Sequence, residues 1–239
     1  MIRRWGLTAI LAGVVAASGV QAQTEVGQRV AQDERRALGL LATGRTPVVL
    51  VPGWSAEGQD LEPMKGLFVE AGWPDSAVAV VEFDDPEGSN IDHSEELARV
   101  VEELMIRTGA DKVDVVAHSM GGLATRYYMQ NGGGGKVRRV AFLATPHRGT
   151  YTAYLAWGEG GKEMHPGSGF LMDLQQFRAV PEDVEAITVR TKVDLHIIPP
   201  ESATLVGLPN LEVCCPSHIG IMTHPEAFDA VRSFLSREP

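Results

Sequence analysis

The chain has 239 residues, of which 44% are hydrophobic and 22% charged, and its formal net charge is -10. That is enough apolar sequence for one substantial core, so a single main domain is the simplest organisation. The negative charge argues against nucleic acid or an anionic membrane surface as partner, because the long-range field repels both.

The first residues, Met1-Ile2-Arg3-Arg4, are basic, and Trp5 to Val20 is an apolar run interrupted only by Thr8 and Ser18. Val20-Gln21-Ala22 then places small residues where a signal peptidase needs them. This reads as a signal peptide over residues 1–22, cleaved near Ala22, with the mature protein secreted or periplasmic. An uncleaved anchor is the lesser reading, since a comfortable span needs about 20 apolar residues. No stable membrane anchoring is therefore expected.

Residues 23–46 are expected to be a helical lead-in, with Val26, Val30, Ala37, Leu38 and Leu41 at helical intervals. Thr46-Pro47 breaks it, and Val48 to Val51 has the unbroken apolar character of a strand covered on both faces. Pro52-Gly53-Trp54-Ser55 is a turn at that strand's carboxyl end, where parallel sheets carry their binding crevice. The Trp54 N–H is a candidate oxyanion donor there.

A helix is expected over 60–71 and a strand over Ala77 to Phe83. Asp84 to Asn90 reads as a solvated acidic loop, without the spacing of a calcium-binding EF-hand. Ile91 to Thr108 is amphipathic through Leu97, Val100, Val101, Leu104 and Met105, and Gly109 ends it.

Val113 to Ala117 is again a buried strand pattern. It runs through His118-Ser119-Met120-Gly121-Gly122 into a helical pattern carrying Leu123, Tyr127 and Tyr128. A serine in a sharp strand-to-helix turn, with small residues two before and two after it, is a nucleophile elbow. Ala117 and Gly121 supply the small residues. Asn131 to Gly135 closes the segment as a flexible loop, with no helix-opening Lys-Ser/Thr that would make it a phosphate cradle.

Val137 to Ala144 is the next expected strand, followed by Thr145-Pro146-His147-Arg148-Gly149-Thr150. His147 is expected to be a hydrogen-bonded structural residue, because it precedes every acid that could orient it as a base. Tyr151 to Pro181 is irregular and rich in glycine and aromatic residues. It is expected to form a cap-like insertion at about 151–181, with Tyr151 and Tyr154 as candidates for a substrate pocket that would also include Trp54 and Ile219. Glu185 to Arg190 and Asn210 to Cys215 are the last strands, and a final helix runs through Ala227, Phe228, Val231 and Leu235. The adjacent Cys214 and Cys215 allow either a vicinal disulfide or two buried free thiols. No metal-ligand spacing or cofactor motif is present, and none is expected.

A serine hydroxyl needs a base within hydrogen-bond reach and a carboxylate to orient that base. In α/β-hydrolases the three arrive in the order Ser, Asp/Glu, His, each after a strand. Ser119, Asp194 and His218 satisfy this order; Asp183 and Glu201 compete for the acid, and His196 and His224 for the base. Alternating strands and helices imply a mainly parallel sheet with helices on both faces.

From Pro47 to Leu235 the sequence resembles the bacterial class 2 lipases, small α/β-hydrolases without a large lid domain. The resemblance rests on Val49-Leu50-Val51-Pro52-Gly53, Ala117-His118-Ser119-Met120-Gly121-Gly122, Thr145-Pro146-His147-Arg148-Gly149-Thr150 and Ser217-His218-Ile219-Gly220. It implies an α/β-hydrolase domain over 47–239, a triad of Ser119, Asp194 and His218, and an oxyanion hole from the N–H groups of Met120 and Trp54. It also implies a secreted carboxylic ester hydrolase, a lipase or esterase, acting on lipid or small-molecule esters, with a lipid–water interface among its expected settings. A thioesterase, a polyester depolymerase and an acyltransferase share this chemistry, and a non-catalytic binding protein is the reading from another class. The sequence departs from the family pattern at Pro52, where the family often has His, and in the length of 151–181. Neither the oligomeric state nor the acyl length follows from it.

Overall fold

The computed structural model describes residues 44–237, so the expected signal peptide and the helical lead-in, apart from residues 44–46, lie outside the described part. Six strands form one parallel sheet: β1 (Val48–Val51), β2 (Val78–Val80), β3 (Val113–His118), β4 (Val137–Leu143), β5 (Glu185–Thr191) and β6 (Asn210–Val213). Their spatial order is β2-β1-β3-β4-β5-β6. The α-helices are α1 (Glu62–Glu70), α2 (Asn90–Thr108), α3 (Gly121–Tyr128), α4 (Gly158–Glu163), α5 (Gly169–Gln175) and α6 (Pro225–Leu235).

Side chains alternate across a strand, so each strand feeds two cores. On one face Val48, Leu50, Val116, Leu143 and Val189 pack against Met64 and Phe68 of α1 and Phe228, Val231 and Phe234 of α6. On the other, Val49, Val51, Val115, Val140 and Phe142 pack against Leu97, Val101 and Leu104 of α2 and Tyr128 of α3. This double cover explains why the strands read as continuous apolar runs. Phe68 is fully buried and meets the rings of Trp73 and Phe228 edge-on, both at 5.1 Å. Phe68→Ala is expected to cost about 3–5 kcal/mol, read as a fall in the urea midpoint without change in the slope.

Two strands are shorter than expected by two or more residues. β2 lies at the sheet edge and ends at Val80, although Val81 N–H still donates to the Leu50 carbonyl at 2.9 Å. The chain then leaves the ladder because Val81 and Phe83 are buried against α2. β6 stops at Val213, and Cys214 and Cys215 follow it as an exposed vicinal disulfide. The alternative of two buried free thiols in the strand is thereby corrected.

The helix expected from Ile91 has Ser89 as its N-cap, whose hydroxyl accepts from Ile91 N–H, and Gly109 beyond its end at φ 69°. Among the described residues no helix is long and apolar enough to cross a membrane. From β1 the chain steps outward to β2, then crosses back to β3 on the other side of β1. The carboxyl ends of β1 and β3 flank this reversal, which is where open α/β sheets form their crevice.

Candidate active site

Ser119 sits between β3 and α3 with φ at 52°, a left-handed conformation that few non-glycine residues adopt. Its N–H donates to the Leu143 carbonyl of β4 at 2.8 Å, which fixes the turn against the neighbouring strand. The small residues around it are sterically required. A Cβ on Gly121 would lie 2.1 Å from the Pro52 carbonyl oxygen, and one on Gly122 would lie 2.0 Å from Thr145 Oγ1. A Cβ on Gly53 would approach Ser119 Cβ to 2.8 Å, so the loop after β1 runs directly against the serine.

The loops after β5 and β6 bring Asp194 and His218 to the same place. His218 Nε2 lies 2.9 Å from Ser119 Oγ, and His218 Nδ1 lies 2.9 Å from Asp194 Oδ2. A carboxylate only accepts, so Nδ1 carries the proton and Nε2 is free to accept from the serine hydroxyl. The other carboxylate oxygen of Asp194 accepts from the N–H groups of His196 and Ile197, at 2.8 and 2.9 Å. All three side chains are buried.

The competing residues sit elsewhere or do other work. Asp183 pairs with Lys112 on the surface, Glu201 is exposed, and His224 is the N-cap residue of α6. His196 stacks on the His218 ring with centroids 4.7 Å apart. The motif itself gives no reason to single out His118, yet its Nε2–H donates to the His218 backbone carbonyl at 3.0 Å. The residue before the serine thus ties β3 to the loop that carries the imidazole.

Ser119 and His218 open onto a cavity of about 570 Å³ whose apolar wall includes Trp54, Leu155, Trp157, Leu195, Ile219 and Met222. A second concavity, of about 550 Å³, lies beside β2 and α1, is lined largely by charged residues and contains none of the site. Trp54 Nε1–H donates to the Trp157 carbonyl at 3.1 Å, and the two rings meet edge-on at 4.6 Å. Neither the Trp54 nor the Met120 N–H donates to any acceptor among the described residues. Of the candidate pocket residues, Trp54 and Ile219 line this cavity, and Tyr151 and Tyr154 do not. Both are largely exposed, and Tyr154 stacks on His165 at 4.2 Å. Tyr151–Leu155 forms a short 3₁₀ turn, which gives the wall to Ala153 and Leu155 instead.

The insertion continues through α4 and α5, and its Ala153, Met164, Leu171 and Leu174 form an apolar cluster with Met120 and Leu123. It is anchored at its start, middle and far end. Tyr151 N–H donates to the Ile198 carbonyl at 2.9 Å. Midway, Glu163 reaches the N-terminus of α2. Arg126 of α3, itself buried, donates to the Leu174 carbonyl at 3.1 Å, and Gln130 to the Leu174 and Arg178 carbonyls at 3.1 and 2.9 Å. The acidic loop before α2 is held as well as solvated. His93 Nε2 and Gly88 N–H both donate to the Asp85 carbonyl, at 2.7 and 2.8 Å. Glu163 and Trp157 escaped the sequence because each acts on residues distant in the chain, and His93 because its ring turns back from α2 onto a carbonyl eight residues earlier.

His147 requires a correction. It is buried, but neither ring nitrogen has a hydrogen-bond partner, and its ring meets Phe142 edge-on at 4.9 Å. Burial first, then the Arg126 and Arg148 charges, push it well below its ordinary value, so it packs as a neutral ring.

Burial works to raise the Asp194 pKa, but the His218 hydrogen bond and charge, with the Ile197 and His196 N–H groups, hold it below its ordinary value. Its stabilisation is present above the unfolded carboxylate pKa and is lost as pH falls through the depressed one. For His118, burial and then the nearby His218 lower the pKa from 6.5 to about 3. The unfolded chain therefore binds its proton first, and stability falls as pH drops from 6.5 towards 3. The urea midpoint is expected to decline from pH 7 to pH 4, and less steeply in His118→Gln. Parallel declines in the two proteins would contradict this.

Residues 45–158 match the model of the class 2 lipase family. That stretch holds the β1 turn and the elbow but ends before Asp194 and His218. The fold is similar to that of Aspergillus fumigatus lipase B, with a TM-score of 0.70 and 19% identity over 81% of this chain and 53% of that one. The chain thus spans about half the length of that protein. A Bacillus licheniformis lipase in its mature form gives a TM-score of 0.70 and 19% identity, over 81% of this chain and 93% of that one. A Paleococcus ferrophilus monoacylglycerol lipase gives 0.58 and 17%, over 80% and 95%. At these identities the structural likeness is one of fold.

Proposed function

We propose, for an α/β-hydrolase that matches the class 2 lipases over residues 45–158, that the chain hydrolyses carboxylic esters with Ser119 as nucleophile. The reading is carried by one observation: the unbroken hydrogen-bonded line from Asp194 through His218 to Ser119, at 2.9 Å in each step. His218 Nε2 takes the hydroxyl proton as Ser119 Oγ attacks the ester carbonyl, and Asp194 stabilises the imidazolium that forms. The carbonyl oxygen becomes an oxyanion, and the free N–H groups of Trp54 and Met120 receive it. His218 then protonates the departing alcohol, and water repeats the sequence on the acyl-enzyme.

The substrate side follows from the cavity. Its wall is apolar and the chain is strongly negative, so a neutral acyl ester suits it better than a charged one. Secretion after removal of residues 1–22 belongs to the same proposal and places the enzyme among extracellular or periplasmic lipids and esters. The test is labelling of the purified protein with a fluorophosphonate, followed by mass mapping. An adduct on Ser119, with turnover of nitrophenyl esters, supports the reading; a folded protein that takes no label overturns it. A thioester in the same substrate series separates thioesterase from oxygen-ester hydrolysis.

A further inference from the structure

We infer that Glu163 is a positioning residue for the oxyanion hole. The inference rests on the ester-hydrolase reading above and concerns how its two N–H donors are held. Glu163 ends α4 and is only 8% exposed. Its carboxylate accepts from Ser89 Oγ–H at 2.6 Å, and from the Asn90 backbone and side-chain N–H groups at 2.7 Å each. None of the ion pairs among the described residues includes it. The carboxylate is met instead by the first N–H of α2, by the Ser89 and Asn90 side chains, and by the positive end of that helix.

What Glu163 holds is the loop from Asp85 to Asn90, and that loop touches both donors' neighbours. On one side Ser55, next to Trp54, donates its N–H to the Pro86 carbonyl at 3.1 Å and its hydroxyl to Glu87 at 2.6 Å. On the other, Gly160 N–H of α4 donates to the Glu87 carbonyl at 3.0 Å, and Gly160 packs on Met120. A Cβ on Gly160 would lie 2.5 Å from the Gly88 carbonyl oxygen and 2.7 Å from Met120 Sδ. The loop is therefore wedged between the segment bearing Trp54 and the helix leaning on Met120. Fixing the loop to α2 and to the end of α4 at once fixes the separation of the two donors. Donors left free to drift would meet the transition state out of place, and a misplacement of about 1 Å is worth about 100-fold in rate.

The test compares Glu163→Gln and Glu163→Ala with the unaltered protein on nitrophenyl butyrate. It also measures inhibition by a trifluoromethyl ketone. Ser119 Oγ adds to the ketone carbon, its proton passes to His218, and the ketone oxygen becomes an oxyanion in the same hole. The expected result is a kcat lower by about 10-fold for Gln and about 100-fold for Ala, with KM within about twofold. The affinity for the ketone should fall by the same factor as kcat/KM. A merely structural role would lower the melting temperature, or raise KM, without moving ketone affinity in step with kcat/KM; that result overturns the inference. If Glu163→Ala does not fold, Glu163→Gln and Ser89→Ala decide by the same criterion. An unaltered protein that hydrolyses no ester and takes no fluorophosphonate sinks the ester-hydrolase reading itself. An active protein whose Glu163 variants match it sinks only the positioning role.

Discussion

Ser119→Ala is expected to lower kcat on a nitrophenyl ester by about 10⁵- to 10⁶-fold, leaving KM and the melting temperature close to their original values. The side chain lost is small and the backbone it leaves is held by the Leu143 carbonyl and by the fit of Gly121 and Gly122. The fold has little reason to notice. The proposed chemistry has every reason, because among the described residues no other hydroxyl hydrogen-bonds to His218 Nε2. His218→Ala should cost nearly as much, and the double variant little more than either single one, since nucleophile and base act as a unit. Additive losses, or a residual rate above about one part in 10³, would mean that another group attacks the ester. Steady-state kinetics with active-site titration separates these outcomes.

Gly121→Ala should be the most damaging substitution of a single methyl group. The new Cβ would stand 2.1 Å from the Pro52 carbonyl oxygen and 3.0 Å from that of Val51. Both are backbone atoms of the first strand and its turn, and they have no rotamer by which to move aside. Helix α3 must back away from β1, which tears the elbow from the Trp54 loop. Loss of soluble protein, or an inactive one destabilised by well over about 3 kcal/mol, is expected, beyond the usual range for overpacking. Gly66→Ala supplies the contrast: it lies in α1 with nothing within 4 Å of the added atom. It should gain about 0.5–1 kcal/mol. A folded, active Gly121→Ala protein in thermal and kinetic assays would contradict the elbow geometry described here.

The parts of this molecule that were legible in the sequence are those whose cause is local. The buried strands announce themselves through runs such as Val48 to Val51, and the elbow through small residues at fixed offsets from Ser119. Even the hydrogen-bonded neighbours of Ser119 were reachable, because chain order and strand ends leave few candidates after it. Long-range packing was not legible. Tyr151 and Tyr154 look like pocket residues, but a 3₁₀ turn aims its side chains by a register that composition does not fix. The ring of His147 packs edge-on against Phe142 of β4 and near Arg126 of α3, with neither ring nitrogen partnered, and no local pattern announces that company. Glu163 is one acid among many until α2 presents its first N–H to it, and β2 is cut short by the pull of α2 on Val81 and Phe83.

The insertion over 151–181 supplies walls, Leu155 and Trp157 among them, but none of the reacting groups. Reactivity and substrate preference are thus written in separate stretches of chain. On the proposed reading, a lineage could change its substrate by revising this one segment while the Ser119–His218–Asp194 line stays as it was, and an engineer could graft a foreign segment there in the same spirit. Compatibility would turn on one position. An exchanged segment that lacks a carboxylate where Glu163 stands would bring new selectivity together with a slower enzyme.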